Sequence, residues 1–168
     1  MGVRVIAVWI GLWASLALGA PEMIPEQAPA LLGRTAPSFE LSTLSGETFR
    51  IQEQTGRPVV LAFWASWCGP CRLELPALSD LALKRTGVDF YAVNVDRQQG
   101  PARAFTKKVR VEVPILWDNQ AKVMGLFQVM SMPTLFVIDA KGTVKYQKVG
   151  YSREKKLVEL EAALDELQ

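Results

Sequence analysis

Apolar and polar positions divide this chain into short strands and helices. Phe39 and Leu41 alternate with polar neighbours, as do Phe49 and Ile51, and Leu44-Ser45-Gly46-Glu47 lies between them as a turn. A period of two on both sides of a turn predicts a β-hairpin. Residues 58–65 carry an unbroken apolar run, and residues 88–95 a second apolar stretch that ends at Asp96. Such runs predict strands covered on both faces. Between them, residues 69–84 read as a helix, with Pro76 inside it expected to introduce a kink, since proline lacks an N–H and crowds the preceding turn.

Further along, Pro101 opens a short helix over residues 101–110, because proline is tolerated in a first turn. Residues 113–117 read as a short strand. Residues 119–127 read as a helix with Val123, Leu126 and Phe127 on one side. Leu135-Phe136-Val137-Ile138, a turn at residues 140–143 and a strand over residues 144–150 form a second hairpin. Ser152 is expected to cap a last helix in which Leu157, Leu160, Leu164 and Leu167 recur at helical spacing.

The N-terminus follows a different pattern. Arg4 precedes an apolar run over residues 5–18, and small residues follow at Ala17-Leu18-Gly19. This describes a signal peptide or an uncleaved signal anchor over residues 1–20. Residues 21–33 hold Pro21, Pro25 and Pro29 among small and polar residues and read as a semi-extended linker. The folded domain is expected over residues 34–168.

Composition narrows the chemistry. A chain of 168 residues suits one domain with a real core. Its net charge of +2 comes from interspersed charges, so nucleic-acid binding has no support. There is no histidine and there are only two cysteines. A single-chain zinc site, which needs four ligands, is therefore excluded, as is histidine acid–base chemistry.

Both cysteines fall in Trp67-Cys68-Gly69-Pro70-Cys71, where the buried strand hands over to the helix. Backbone N–H groups at a helix start favour thiolate over thiol. A purely structural disulfide over so short a loop adds little stability, since the gain grows with loop length. The pattern beside a βαβ arrangement points to redox work instead. Cys68 is the candidate nucleophile, and Cys71, further inside, the resolving thiol.

The segment from Phe63 to Cys71 resembles the active-site stretch of thioredoxin. Ala36-Pro37-Ser38-Phe39-Glu40-Leu41, Glu74 and Met132-Pro133-Thr134 make the chain more similar to exported TlpA/ResA-type thiol-disulfide reductases. The resemblance covers about residues 34 to 168. It implies an α/β thioredoxin fold: a central mixed sheet flanked by helices, with an N-terminal β-hairpin and a central helix-strand insertion. It implies a cis Pro133 that turns the Met132 backbone towards substrate, and a docking surface of Trp67, Gly69, Pro70, Met132, Pro133 and Thr134. Thioredoxin's buried aspartate has Ala62 in its place here, and Glu74 matches the acidic residue of the ResA-like group. A peroxiredoxin would carry a threonine where Ala65 stands.

As partners the resemblance implies protein disulfides, among them apocytochrome c or a copper-site protein, and a membrane thiol electron donor. It implies a monomer without a cofactor. Two alternatives stay open at this point: an extracytoplasmic disulfide oxidase or isomerase, and a copper(I)-binding module using the cysteines with Met124, Met130 and Met132.

Overall fold

In a computed structural model, the described residues are 31–153 and 157–167. The expected signal or anchor over residues 1–20 and most of the expected linker lie outside them. The hairpin forms from β1 (Glu40–Thr43) and β2 (Thr48–Arg50). The elements that follow are β3 (Val59–Trp64), α1 (Cys71–Lys84), β4 (Asp89–Asn94), α2 (Gln99–Val109), β5 (Ile115–Trp117) and α3 (Lys122–Leu126). The chain closes with β6 (Thr134–Ile138), β7 (Val144–Val149) and α4 (Val158–Asp165). The seven strands form one sheet in the order β2-β1-β5-β4-β3-β6-β7. β3, β4 and β5 run parallel, and the other neighbours are antiparallel. This is the mixed α/β sheet of the thioredoxin fold, with β5 wedged between the hairpin and the parallel centre.

Every residue of β3 is buried, and its side chains alternate between two cores. Val60, Ala62 and Trp64 face a core built with Leu75 and Leu78 of α1, Phe105 of α2, and Leu160 and Leu164 of α4. Val59, Leu61 and Phe63 face a second core holding Phe39, Phe49, Leu116, Phe127 and Phe136. Burying both faces makes β3 the fixed base from which the loop after Trp64 projects.

Local details depart from the periodicity reading. α1 starts at Cys71 rather than at residue 69 and carries Pro76 within it. α3 is a single short turn, because the Asp118 carboxylate accepts the backbone N–H groups of Lys122 and Met124 and so sets its start. Val123 and Phe127, an i, i+4 pair, are buried in the core and Met124 packs against it partly buried; Leu126 is exposed rather than sharing their side. α4 has Leu157, not the expected Ser152, at its N-cap position. Leu157, Leu160 and Leu164 are buried as their spacing predicts, and Leu167 packs against them partly buried.

Candidate active site

β3 ends at Trp64, and the loop Ala65 to Pro70 connects it to α1. The Cys68 N–H donates to the Ala65 carbonyl at 3.1 Å. This turn brings Cys68 just ahead of the first helical residue, Cys71. The two form a disulfide with Cα atoms 5.4 Å apart. Cys68 keeps 5% exposure and Cys71 none. The Cys71 N–H, one of the donors a helix start leaves unpaired, points at Cys68 Sγ from 3.2 Å. The sequence-derived order of an outer and an inner sulfur therefore matches the burial.

The partner loop comes from the start of β6. The ladder pairs Phe63 with Thr134, which sets Pro133 level with Trp64 at the end of β3. The Met132–Pro133 peptide is cis, as the resemblance implied. Thr134 Oγ1 donates to the Ser131 carbonyl at 2.7 Å, and the Gly150 N–H donates to the Pro133 carbonyl at 2.7 Å. These bonds tie the loop to its own strand and to the end of β7. An apolar cleft of about 440 Å³ runs between the two loops, lined by Trp67, Cys68, Gly69 and Pro70 on one side and Met124, Met130, Ser131 and Met132 on the other. Trp67 is 72% exposed and Met130 92%. Trp67, Gly69, Pro70 and Met132 thus meet at one cleft. Pro133 and Thr134 lie buried beneath it as support.

Glu74 sits on α1 one turn beyond Cys71, 1% exposed. Neither carboxyl oxygen has a hydrogen-bond partner among the described residues. Burial raises its pKa to about 7, against an opposing pull from Lys148. Lys148 itself, on β7, is largely enclosed and pairs with Glu159 at 3.7 Å. Burial and then the nearby Glu74 charge raise Tyr151 as well. Glu74 is thus a core carboxyl and not part of the solvated face of α1.

Sequence reasoning marked Asp96 only as the end of an apolar stretch and gave it no part in the site. Its carboxylate accepts the Ser66 N–H at 3.1 and 3.2 Å, the Ser66 hydroxyl at 3.1 Å and the Asn94 side-chain amide at 3.0 Å. Its carbonyl accepts the Trp117 indole N–H at 2.8 Å. Asp96 thereby anchors the loop that carries Trp67 and Cys68. An acid at the end of a buried strand was the available signal.

The AhpC/TSA family profile matches residues 32–147. The thiol-disulfide oxidoreductase ResA of Geobacillus kaustophilus (strain HTA426) is 36% identical over 122 residues, covering 71% of this chain and 70% of that one. The thioredoxin-like protein YneN of Bacillus subtilis (strain 168) is 37% identical over 137 residues, covering 79% of this chain and 78% of that one. A Chlorobium tepidum protein assigned as thiol:disulfide interchange protein DsbE superposes with a TM-score of 0.73 at 36% identity, covering 79% of this chain and 97% of that one. The chain belongs to the AhpC/TSA family and is a thioredoxin-fold thiol-disulfide oxidoreductase of the ResA/DsbE type, with Cys68 and Cys71 as its dithiol-disulfide pair.

Proposed function

We propose that the protein is an extracytoplasmic reductase of protein disulfides. The observation that carries this is the asymmetry of the pair: Cys68 at the cleft floor beside a helix-start N–H, Cys71 fully enclosed. In the dithiol form the Cys68 thiolate attacks one sulfur of a substrate disulfide. A Cys68–substrate bond forms as the substrate S–S bond breaks, and the first substrate thiolate leaves and takes up a proton. Cys71, deprotonated, then attacks Cys68 Sγ. The Cys68–Cys71 bond forms, the mixed disulfide breaks, and the second substrate thiol is released. Two electrons pass to the substrate, and a membrane thiol donor returns two to the protein.

Glu74 accepts the Cys71 proton, since no histidine exists to do so and a carboxyl held near neutrality suits proton exchange. Trp67, Gly69, Pro70 and Met132 contact substrate, and Pro133 and Thr134 hold the Met132 backbone for an extended segment to pair with. Residues 1–20 direct export or anchor the chain, residues 21–33 form a linker, and residues 34–168 form the working domain, a monomer. Apocytochrome c and copper-site proteins, whose cysteines must be kept reduced in an oxidising compartment, are the substrates this reading favours.

A Cys71→Ala variant tests it. The variant should retain substrates as mixed disulfides on Cys68 in extracytoplasmic fractions, identifiable by mass spectrometry. Trapping of cytosolic proteins alone, or none on Cys68, would overturn the reading.

A further inference from the structure

The loops around Cys68 carry more exposed cations than exposed acids. They follow β3, β4, β5 and β7 and precede β6, and the described charged residues on them and on the first turns they open are few. Arg72, Arg97, Lys122 and Arg153 are exposed. Of the acids there, Glu74, Asp96 and Asp118 are buried, while Glu159 and Glu161 on the first turn of α4 are exposed, Glu159 pairing with Lys148. Asp96 is occupied by Ser66 and Asn94, and Asp118 by the N–H groups of Lys122 and Met124. The chain as a whole is nearly balanced, with 19 basic and 17 acidic residues. The excess of cations on the rim is therefore a matter of placement, not of overall charge.

Each cation is tied to the cleft by a neighbour. Arg72 follows Cys71, and its guanidinium lies 5.2 Å over the Phe105 ring, which in turn packs on Trp64. Arg97 follows Asp96, the anchor of the Cys68 loop. Lys122 is two residues from Met124, which lines the cleft. Arg153 ends the turn that begins at Gly150, bonded to Pro133. None of the four forms an ion pair among the described residues.

We propose that this rim selects acidic protein partners, whose disulfide is flanked by aspartate or glutamate. Opposite charge around a cleft steers encounter and fixes orientation, and like charge rejects wrong partners. The apolar cleft then takes the side chains next to the reacting sulfur, while the rim meets the carboxylates around them. This deepens the reductase reading and rests on Cys68 being the sulfur that partners approach.

The test uses the reduced full-length protein and three disulfide-linked peptides that differ only in their flanking residues: Glu, Ser or Lys. At low salt the Glu peptide should be reduced about tenfold faster than the Lys peptide, the lower end of steering effects. The gap should close as salt shortens the screening length to a few ångströms, about 3 Å near 1 M. An Arg97→Glu/Lys122→Glu variant should collapse or invert the Glu-to-Lys rate ratio, a ratio that a general loss of activity leaves alone. Equal rates for the three peptides, or a ratio indifferent to salt and to the variant, would overturn the proposal. If no peptide is reduced, the reductase reading falls by itself. The rim is then judged by anisotropy of labelled cysteine-free Glu and Lys peptides on the oxidised full chain: salt-sensitive preference for Glu supports it, and equal binding overturns it.

Discussion

The backbone N–H of Cys71 points at the sulfur of Cys68 from 3.2 Å, so the helix that buries one cysteine also solvates the other. The same donor is available to a Cys68 thiolate once the disulfide opens. Cys71 sits inside the helix and is walled in by the core of Leu75 and Leu78. Enclosure disfavours its thiolate, and the helix start favours that of Cys68. In the reduced protein, Cys68 should be alkylated at lower pH and faster than Cys71. Peptide mapping after brief alkylation across pH reads this directly. Equal labelling, or Cys71 first, would remove the mechanistic order.

Gly69 and Pro70 separate the cysteines, as they do in the thioredoxin stretch that this segment resembles. The couple should therefore equilibrate near thioredoxin's roughly −270 mV and far from DsbA's roughly −120 mV. Equilibration against dithiothreitol and glutathione buffers gives the value. A potential at the DsbA end would make the protein an oxidase.

Asp96 supports a prediction of a different kind. Its carboxylate takes the Ser66 N–H, the Ser66 hydroxyl and the Asn94 amide at once. Removing a buried acceptor strands its donors, and bonds to a charged group contribute about 1.5–3 kcal/mol. Asp96→Ala should cost about 3 kcal/mol in urea unfolding. It should also slow peptide reduction, because the loop carrying Cys68 loses its anchor. Wild-type stability in this variant would show that the network holds nothing.

What was legible in the sequence was local. The run over residues 58–65 announced a strand buried on both faces, and the strand-to-helix handover located the sulfurs. Met132-Pro133-Thr134 became meaningful only through a resemblance, since nothing in its own periodicity says that it lies level with Trp64. The Ser66–Asp96 bonds span 30 residues. Lys148 approaches Glu74 from the far end of the chain, and β5 sits between β1 and β4 by sheet order alone. Such pairings follow from how strands line up, which hydrophobic spacing does not encode. α3 misled for the opposite reason: its spacing suits a longer helix, but Asp118 starts it late and Phe127 already ends it.

Glu74 yields the most discriminating measurement, because the disulfide form lets it titrate without the cysteines. Burial raises its pKa from about 4.5 to about 7, and Lys148 pulls the other way without cancelling the shift. A carboxyl whose folded pKa exceeds its unfolded value holds more protons folded than unfolded between the two. The contribution of Glu74 to stability is then greatest below about pH 4.5, falls as pH rises towards 7, and levels off above it. The full drop is roughly 3 kcal/mol, from the free energy of one pKa unit. In the oxidised protein, Glu74→Gln should flatten this slope, matching wild type near pH 4 and exceeding its stability near pH 8. Reduction adds the second half of the test. With the repelling charge gone, the thiols of Glu74→Gln should ionise at lower pH, while turnover near neutrality slows for want of a proton acceptor. The carboxyl and the thiols titrate as a coupled set, so whole curves are compared and not single values. Superimposable thiol titrations with unchanged turnover would leave Glu74 a buried acid without a part in the chemistry, even if the stability slope appears as expected.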